Sequence, residues 1–512
     1  MIAACSIQTP LTEANWPATT RTLEGLDLKQ VRDVLTFGFT QIEAKALEKH
    51  EISKLVMAGV SGVTDLDSNQ YSELSGGRLR TWYKGTMVLD LPQPSDQDID
   101  KWVDVLLGII VSGRRISPIL RKVDAEYLYE SIFNSILAEY DLYSRYADRR
   151  QARQNREARN GFGGIGIRYE RTPSGLRISS VVKNSPAARN GVIVGDILIA
   201  VNGEAVSERS FLSLREALRG PVNTVVSLQI SRGYPPKNIT VAVTRDVIVE
   251  KTVDLEINDR IALIRVHGFN QKTGENVADA IRQAVSVNKG QLAGIVLDLR
   301  GDPGGLLDQA VAVSDLFMNQ GTIVSTRGRH PDSMQSYSAF EGDISKGALI
   351  AVIVDGRSAS AAEIVAAAIQ DTGRGLVVGT TSFGKGTVQT VVRLPNDGEI
   401  TLTWSRFYAP AGYAIQGLGI LPIACTSGSQ GNAQDIVKLL VEAPSQITSQ
   451  FTSWHNIDKQ GTEERTQLRS FCPAEAKLNG SLEREVARLL LSDPRLYASA
   501  LKLTSRSRAH AQ

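Results

Sequence analysis

Histidine and cysteine are both scarce in this chain, with 5 and 3 copies among 512 residues. The histidines stand singly, as His50, His267, His330, His455 and His510. That scatter disfavours a zinc site and weakens any Ser-His-Asp scheme. Cys5, Cys425 and Cys472 form no metal-ligand spacing. No apolar run reaches the roughly 18 residues that a membrane-spanning helix needs. An excess of one charge is missing too: 57 basic and 55 acidic residues leave a net charge of +2, too little to draw the chain toward nucleic acid. Neither an internal repeat nor a low-complexity segment occurs.

What is present is apolar material, 42% of residues, enough for sizeable cores. The length implies about three domains. The stretch Asp355 to Gln389, D-G-R-S-A-S-A-A-E-I-V-A-A-A-I-Q-D-T-G-R-G-L-V-V-G-T-T-S-F-G-K-G-T-V-Q, concentrates the chemistry. Ile350 to Val354 is an apolar, mostly β-branched run that predicts a buried strand, and Gly356 supplies a turn. Ser358 and Ser360 fall at the start of a helix predicted over Ala361 to Ile369, which Gly373 ends. Leu376 to Val378 returns to the sheet, and Lys385 follows between Gly384 and Gly386. A serine at a helix N-terminus faces orphan N–H groups that stabilise a developing oxyanion. A lysine among small residues can be desolvated until it serves as a general base. Each has a plainer reading. Ser360-Ala-Ala-Glu363 is also a capping box, and a lysine between glycines is commonly a solvated loop charge.

S-A-S-A-A-E-I, Q-D-T-G-R and F-G-K-G-T-V-Q together resemble the active-site run of the C-terminal processing peptidases, or tail-specific proteases. The resemblance implies Ser360 as nucleophile, Lys385 as base and Gln389 as the group orienting the lysine. The 25-residue spacing from Ser360 to Lys385 matches that family. Ala362 stands where the family often has a further serine. Asp371 matches a family aspartate. At a helix C-terminus a carboxylate opposes the dipole, so pairing with Arg374 or a neighbouring loop is expected. Gly294 to Arg300 reads as a buried strand followed by G-D-P-G-G-L-L (Gly301 to Leu307), with Asp302 where the family usually has asparagine. There the resemblance implies Gly304 as one oxyanion N–H and Ala361 as the other, whereas the plainer reading is a strand-to-helix turn. A-P-A-G-Y-A-I-Q-G-L-G-I-L-P (Ala409 to Pro422) is similar to the family's closing segment.

G-F-G-G-I-G-I (Gly161 to Ile167), then S-P-A-A-R-N-G-V-I-V-G-D-I-L-I-A-V-N-G (Ser185 to Gly203), resemble a PDZ domain covering about 161 to 247. That implies a loop of Gly163, Gly164, Ile165 and Gly166 whose N–H groups capture a peptide's terminal carboxylate, with the next strand pairing to the peptide. Ala188, Leu214 and Leu218 are candidates for the apolar side of the cleft. Upstream, Asp98 to Val111 reads as an amphipathic helix with Ser95 as its cap, and Asp124 to Tyr140 as a second. D-L-Y-S-R-Y (Asp141 to Tyr146) is similar to a family segment, with Leu142 replacing a proline. Arg145 to Arg159 reads as a solvated helix or linker. His267 reads as a structural residue on a strand. Downstream, helices are predicted at Ala433 to Glu442 and around Leu482 to Leu501. Cys425 and Cys472 bracket this tail, either as a disulfide or as two buried thiols. M-I-A-A-C resembles the end of a bacterial lipoprotein signal, without the basic and apolar parts that precede one. That implies a lipid anchor at Cys5, with a chance match as the alternative.

The resemblance implies an α/β, crotonase-like protease core of stacked ββα units with an inserted PDZ domain and an N-terminal helical region. The expected boundaries are 1–120 of unassigned role, 121–160 a helical cap or linker, 161–247 PDZ, 248–423 protease, and 424–512 a helical extension. The expected activity is that of a serine endopeptidase cutting proteins near their C-termini, needing no metal or cofactor. Its partners would be protein or peptide C-termini and another copy of the chain, with no nucleic acid, in the periplasm or cell envelope. Two competitors are a catalytically silent PDZ-bearing scaffold and a crotonase-type acyl-CoA lyase. The lyase would want acidic residues in its oxyanion pocket and no peptide-binding domain.

Overall fold

A computed structural model describes residues 22–505, apart from 24, 173–174, 341, 430, 458–460 and 479. The Cys5 reading lies outside the described residues.

Four helices, Leu28–Lys45, Ile52–Leu66, Ile99–Ile116 and Ala125–Ala138, build the N-terminal region together with a three-stranded antiparallel sheet, Gln70–Ser75, Arg78–Tyr83 and Thr86–Pro92. Asp98, not Ser95, caps the third helix by accepting from Lys101 N. The Ser95 carbonyl instead takes the Trp102 indole N–H at 3.1 Å. Val34, Phe39, Trp102, Leu106, Ile132 and Phe133 are buried in one core. The fourth helix shares that core with the first three, so residue 121 is no boundary between packing units. Val392, Ile400 and Leu402 from far down the chain join it, seating these helices on a later antiparallel sheet.

The helix Arg149–Asn160 leads into the next unit. Its sequence reads as solvated, yet Arg156 and Arg159 reach Glu399, whose side chain is 2% exposed, at 2.8 and 3.0 Å. Glu157 on the same helix takes Arg219 at 2.6 Å, and Arg219 lies over the Phe162 ring at 3.5 Å. A buried carboxylate needs such partners, and only the tertiary fold supplies them. Strands Ile167–Thr172, Gly175–Val181, Ile197–Val201, Val225–Arg232 and Lys237–Thr244 then form a sheet with Ile167–Thr172 at its edge. The helix Phe211–Leu218 is capped by Ser210 and buries Leu214 and Leu218 against this sheet.

The largest core belongs to a six-stranded sheet in the order Val253–Asn258, Ile261–Val266, Gly294–Asp298, Leu349–Val354, Leu376–Gly379 and Ala424–Cys425. Its first pair is antiparallel and the rest parallel. The helix Ala361–Asp371 is buried at every residue, which explains its alanine content: small side chains let strands and neighbouring helices approach from all sides. A second, antiparallel sheet runs Gln335–Ser338, Thr322–Gly328, Glu399–Tyr408 and Thr387–Arg393.

The C-terminal extension is part of the main core, contributing Phe451, Trp454, Leu490, Leu491 and Tyr497. The helix expected over 482–501 is two, Leu482–Ser492 and Pro494–Ser505, because proline removes a helix hydrogen bond at the junction. Helices Pro444–His455 and Thr462–Arg469 were not legible beforehand. Cys425 and Cys472 form a disulfide across 47 residues of chain. On the chain-entropy account a loop of that length contributes about 4 kcal/mol. Replacing both cysteines by serine is expected to lower urea-unfolding stability by roughly 2–4 kcal/mol. An unchanged unfolding midpoint would show that the cross-link does not restrain the denatured chain.

Candidate active site

At the end of the strand Leu349–Val354 the chain turns on Asp355, which is fully buried. Its Oδ1 accepts from Gly301 N, Arg357 N and Ser358 N, and its Oδ2 from Lys477 N. Ser358 is consumed by this turn, donating from Oγ to the Leu299 carbonyl at 2.8 Å. Two residues on, Ser360 has φ 56° and ψ −114°, a conformation L-residues avoid. Such a backbone costs on the order of 1–3 kcal/mol and persists only where the surroundings enforce it.

Glu363 is what enforces it. Its carboxylate is wholly buried and takes four donors: Ser360 N at 2.8 Å and Lys385 N at 2.9 Å on Oε2, Ser382 Oγ at 2.6 Å and Gly384 N at 2.7 Å on Oε1. Ser382 Oγ itself accepts from Ile420 N, so its single hydrogen is committed to Glu363. Burial pushes the carboxyl pKa up and the four bonds oppose it. One oxygen therefore joins the backbones of Ser360 and Lys385, and their nitrogens can be no further apart than the two bonds laid end to end. The capping-box reading found the Ser360–Glu363 contact and missed the other three.

Among the described residues no hydrogen bond joins Ser360 Oγ to Lys385 Nζ. The Lys385 amine lies 4.9 Å from the Tyr143 ring centroid, and burial, then the charge of Arg145, lowers its pKa. Tyr143 belongs to the Asp141–Tyr146 segment, whose turn is held without the missing proline: Asp141 Oδ1 accepts from Tyr143 N and Ser144 N, leaving Leu142 exposed. Gln389 is not on the lysine either. Its Nε2 donates to Thr387 Oγ1 at 2.8 Å and Thr403 Oγ1 at 3.3 Å.

Gly304 has φ 92°, and a Cβ there would sit 2.8 Å from both Ala361 N and Ser360 Cβ, so only glycine lets these loops meet. Ala361 N has no acceptor among the described residues. Gly304 N, expected to be equally open, donates to Asp302 Oδ1 at 2.8 Å. Asp371 does not pair with Arg374, which goes to Asp343. It accepts from Ala411 N at 3.2 Å and lies 3.6 Å from His455 Nε2. The extension also braces the lysine loop, since Arg469 donates to the Ser382 and Leu418 carbonyls and Arg465 to those of Ala414 and Gln416.

At the head of the Ile167–Thr172 sheet, Gly163 and Gly164 lie in a short ladder with Asp246–Ile248, so the open loop shrinks to Ile165 and Gly166. On the edge strand itself, Tyr169 stacks on Phe211 of the neighbouring helix with centroids 5.6 Å apart. Ala188 is half-buried, behind the Ser185 cap. His267 is held by Asp254 at 2.8 Å, a surface pair remote from these loops in its contacts.

Residues 260–423 match the family model for peptidase family S41, and residues 177–232 that for the PDZ domain. The chain is 38% identical over 301 residues to a carboxy-terminal-processing protease of Bartonella bacilliformis, covering 58% of this chain and 69% of that one. It is 31% identical over 306 residues to a probable CtpA-like serine protease of Staphylococcus aureus, covering 59% and 60% respectively. Among solved structures, a photosystem II D1 C-terminal processing protease matches over 72% of this chain and 92% of its own, at 22% identity and a TM-score of 0.36. The chain thus belongs to the S41 family of serine peptidases, among the PDZ-bearing carboxy-terminal-processing proteases.

Proposed function

We propose that this peptidase works through a Ser360–Lys385 dyad on chains delivered by their apolar C-terminal tails. Ser360 Oγ attacks the scissile carbonyl while the neutral Lys385 amine takes its proton. The resulting ammonium protonates the leaving amine as the carbon–nitrogen bond breaks. Water then attacks the acyl-serine, with Lys385 again the base, and the hydroxyl is restored. The N–H groups of Ala361 and Gly304 hold the oxyanion, and Gln389 fixes the lysine once it has turned from Tyr143. Asp371 supports the far end of the helix carrying Ser360. Ile165 and Gly166 N–H groups receive the tail carboxylate, and the free edge of Ile167–Thr172 pairs with the tail. The disulfide fits an exported, cell-envelope location.

The observation carrying this reading is the single Glu363 oxygen shared by Ser360 N and Lys385 N. It supports the dyad because it ties the backbone of a strained serine to that of a lysine whose charged form is disfavoured by burial. Because the base must be neutral, the rate should rise with pH through an amine pKa below the ordinary 10.5. The test is labelling with a fluorophosphonate, mapped by peptide mass spectrometry and repeated at pH 6, 7 and 8. The adduct is expected on Ser360, forming faster at each step. An adduct on another serine, or a rate indifferent to pH, removes the dyad.

A further inference from the structure

Asp302 is fully buried and its two carboxyl oxygens are unequal. Oδ1 accepts from Gly304 N at 2.8 Å, while Oδ2 is buried with no hydrogen-bond partner among the described residues. The residue is fixed from both sides: its N–H goes to the Leu299 carbonyl and its carbonyl receives Ala359 N at 2.9 Å. The charged groups on the surrounding elements are turned elsewhere. Arg300 binds Asp298 and Glu483, and Asp355 holds Gly301 N, Ser358 N and Lys477 N. Glu363 has its four donors, the Lys385 amine faces Tyr143, and His267 pairs with Asp254. With no cation among the described residues against it, burial pushes the Asp302 carboxyl up to about 8.

We propose that Asp302 is a positioning residue that latches the Gly304 N–H, yielding it to the substrate carbonyl as the neutral acid and withholding it as the carboxylate. The latch rests on the proposed dyad, with Ser360 as the nucleophile whose oxyanion Gly304 N–H receives. A neutral acid's carbonyl oxygen is an ordinary acceptor that a developing oxyanion outcompetes. A carboxylate binds the same N–H roughly twice as strongly. It also sets a negative charge one residue pair away from where the oxyanion forms, in a site too dry to screen it. Loss of the Asp302 proton to solvent therefore switches the donor off. The lysine base produces an ascending limb with pH and Asp302 a descending one.

The experiment follows the fluorophosphonate labelling rate of the full chain from pH 6 to 10, for wild type and for Asp302→Asn, with Ser360→Ala as control. The wild-type rate divided by that of Asp302→Asn, a ratio in which the lysine limb cancels, is expected to fall above pH 8 and to be about tenfold lower near pH 9, as a single ionisation dictates. The amide keeps an acceptor for Gly304 N and cannot ionise, so the variant's descending limb should vanish. A wild-type rate that keeps climbing to pH 10 overturns the latch without any variant, as does an unchanged descending limb in Asp302→Asn. Failure of the underlying reading looks different: labelling then persists in Ser360→Ala.

Discussion

Ser360→Ala is expected to lower kcat/KM for peptide cleavage by about 10⁴-fold or more, the loss typical of removing a nucleophile whose companions depend on it. A quenched fluorescent peptide with an apolar C-terminus provides the assay, and residual cleavage within tenfold of wild type would end the assignment. The same position separates function from stability. Alanine at φ 56° is as strained as serine, so its unfolding free energy should hardly change. Ser360→Gly should be equally inactive yet more stable by about 1 kcal/mol, because glycine adopts this backbone without penalty. A residue kept in a conformation that costs stability, where glycine would relieve it, is being kept for its hydroxyl.

Glu363→Ala should do damage of another kind. It strands three backbone N–H groups and a serine hydroxyl, two of these donors fully buried and two partly buried. Each unsatisfied buried donor costs about 1–3 kcal/mol, and losses in one network are not additive, so a total near 3–5 kcal/mol is expected. Activity should drop about 10²-fold or more at temperatures where the variant remains folded, because the serine and lysine loops lose their common anchor. Glu363→Gln keeps one acceptor oxygen and points an amide at the donors on the other side, so it should fall between. Chemical denaturation and the peptide assay, run side by side, check both parts. Wild-type stability in Glu363→Ala would mean that the loops are held some other way.

Much of this arrangement is written locally. The strand, the alanine-rich helix and the glycine-flanked lysine follow each other between Ile350 and Gly386, and each is set by period, propensity or a turn residue. What joins them is not local. Glu363 reaches 19 to 22 residues ahead for three of its four donors. Asp355 takes partners 54 and 122 positions away, and nothing in a window of sequence announces that. Arg465 and Arg469 sit in a helix with no buried residue, so periodicity could not mark them as braces for the lysine loop. The roles given to Gly304 and Gln389 came from matching motifs, which transmits residue identity but not current hydrogen-bond partners. The sheet over Gln70–Pro92 is different: Gly76-Gly77 and Lys84-Gly85 between alternating strands are readable hairpin signals.

The ion pairs running from Arg219 through Glu157, with Arg156 and Arg159 beside it, to Glu399 have a consequence for protein engineering. The peptide-binding unit is not a detachable cassette. A foreign domain grafted at residues 161–247 would have to offer a guanidinium where Arg219 stands. Otherwise Glu157 would be left without that partner, next to the two arginines that neutralise the buried Glu399 on the strand paired with the one bearing Gln389.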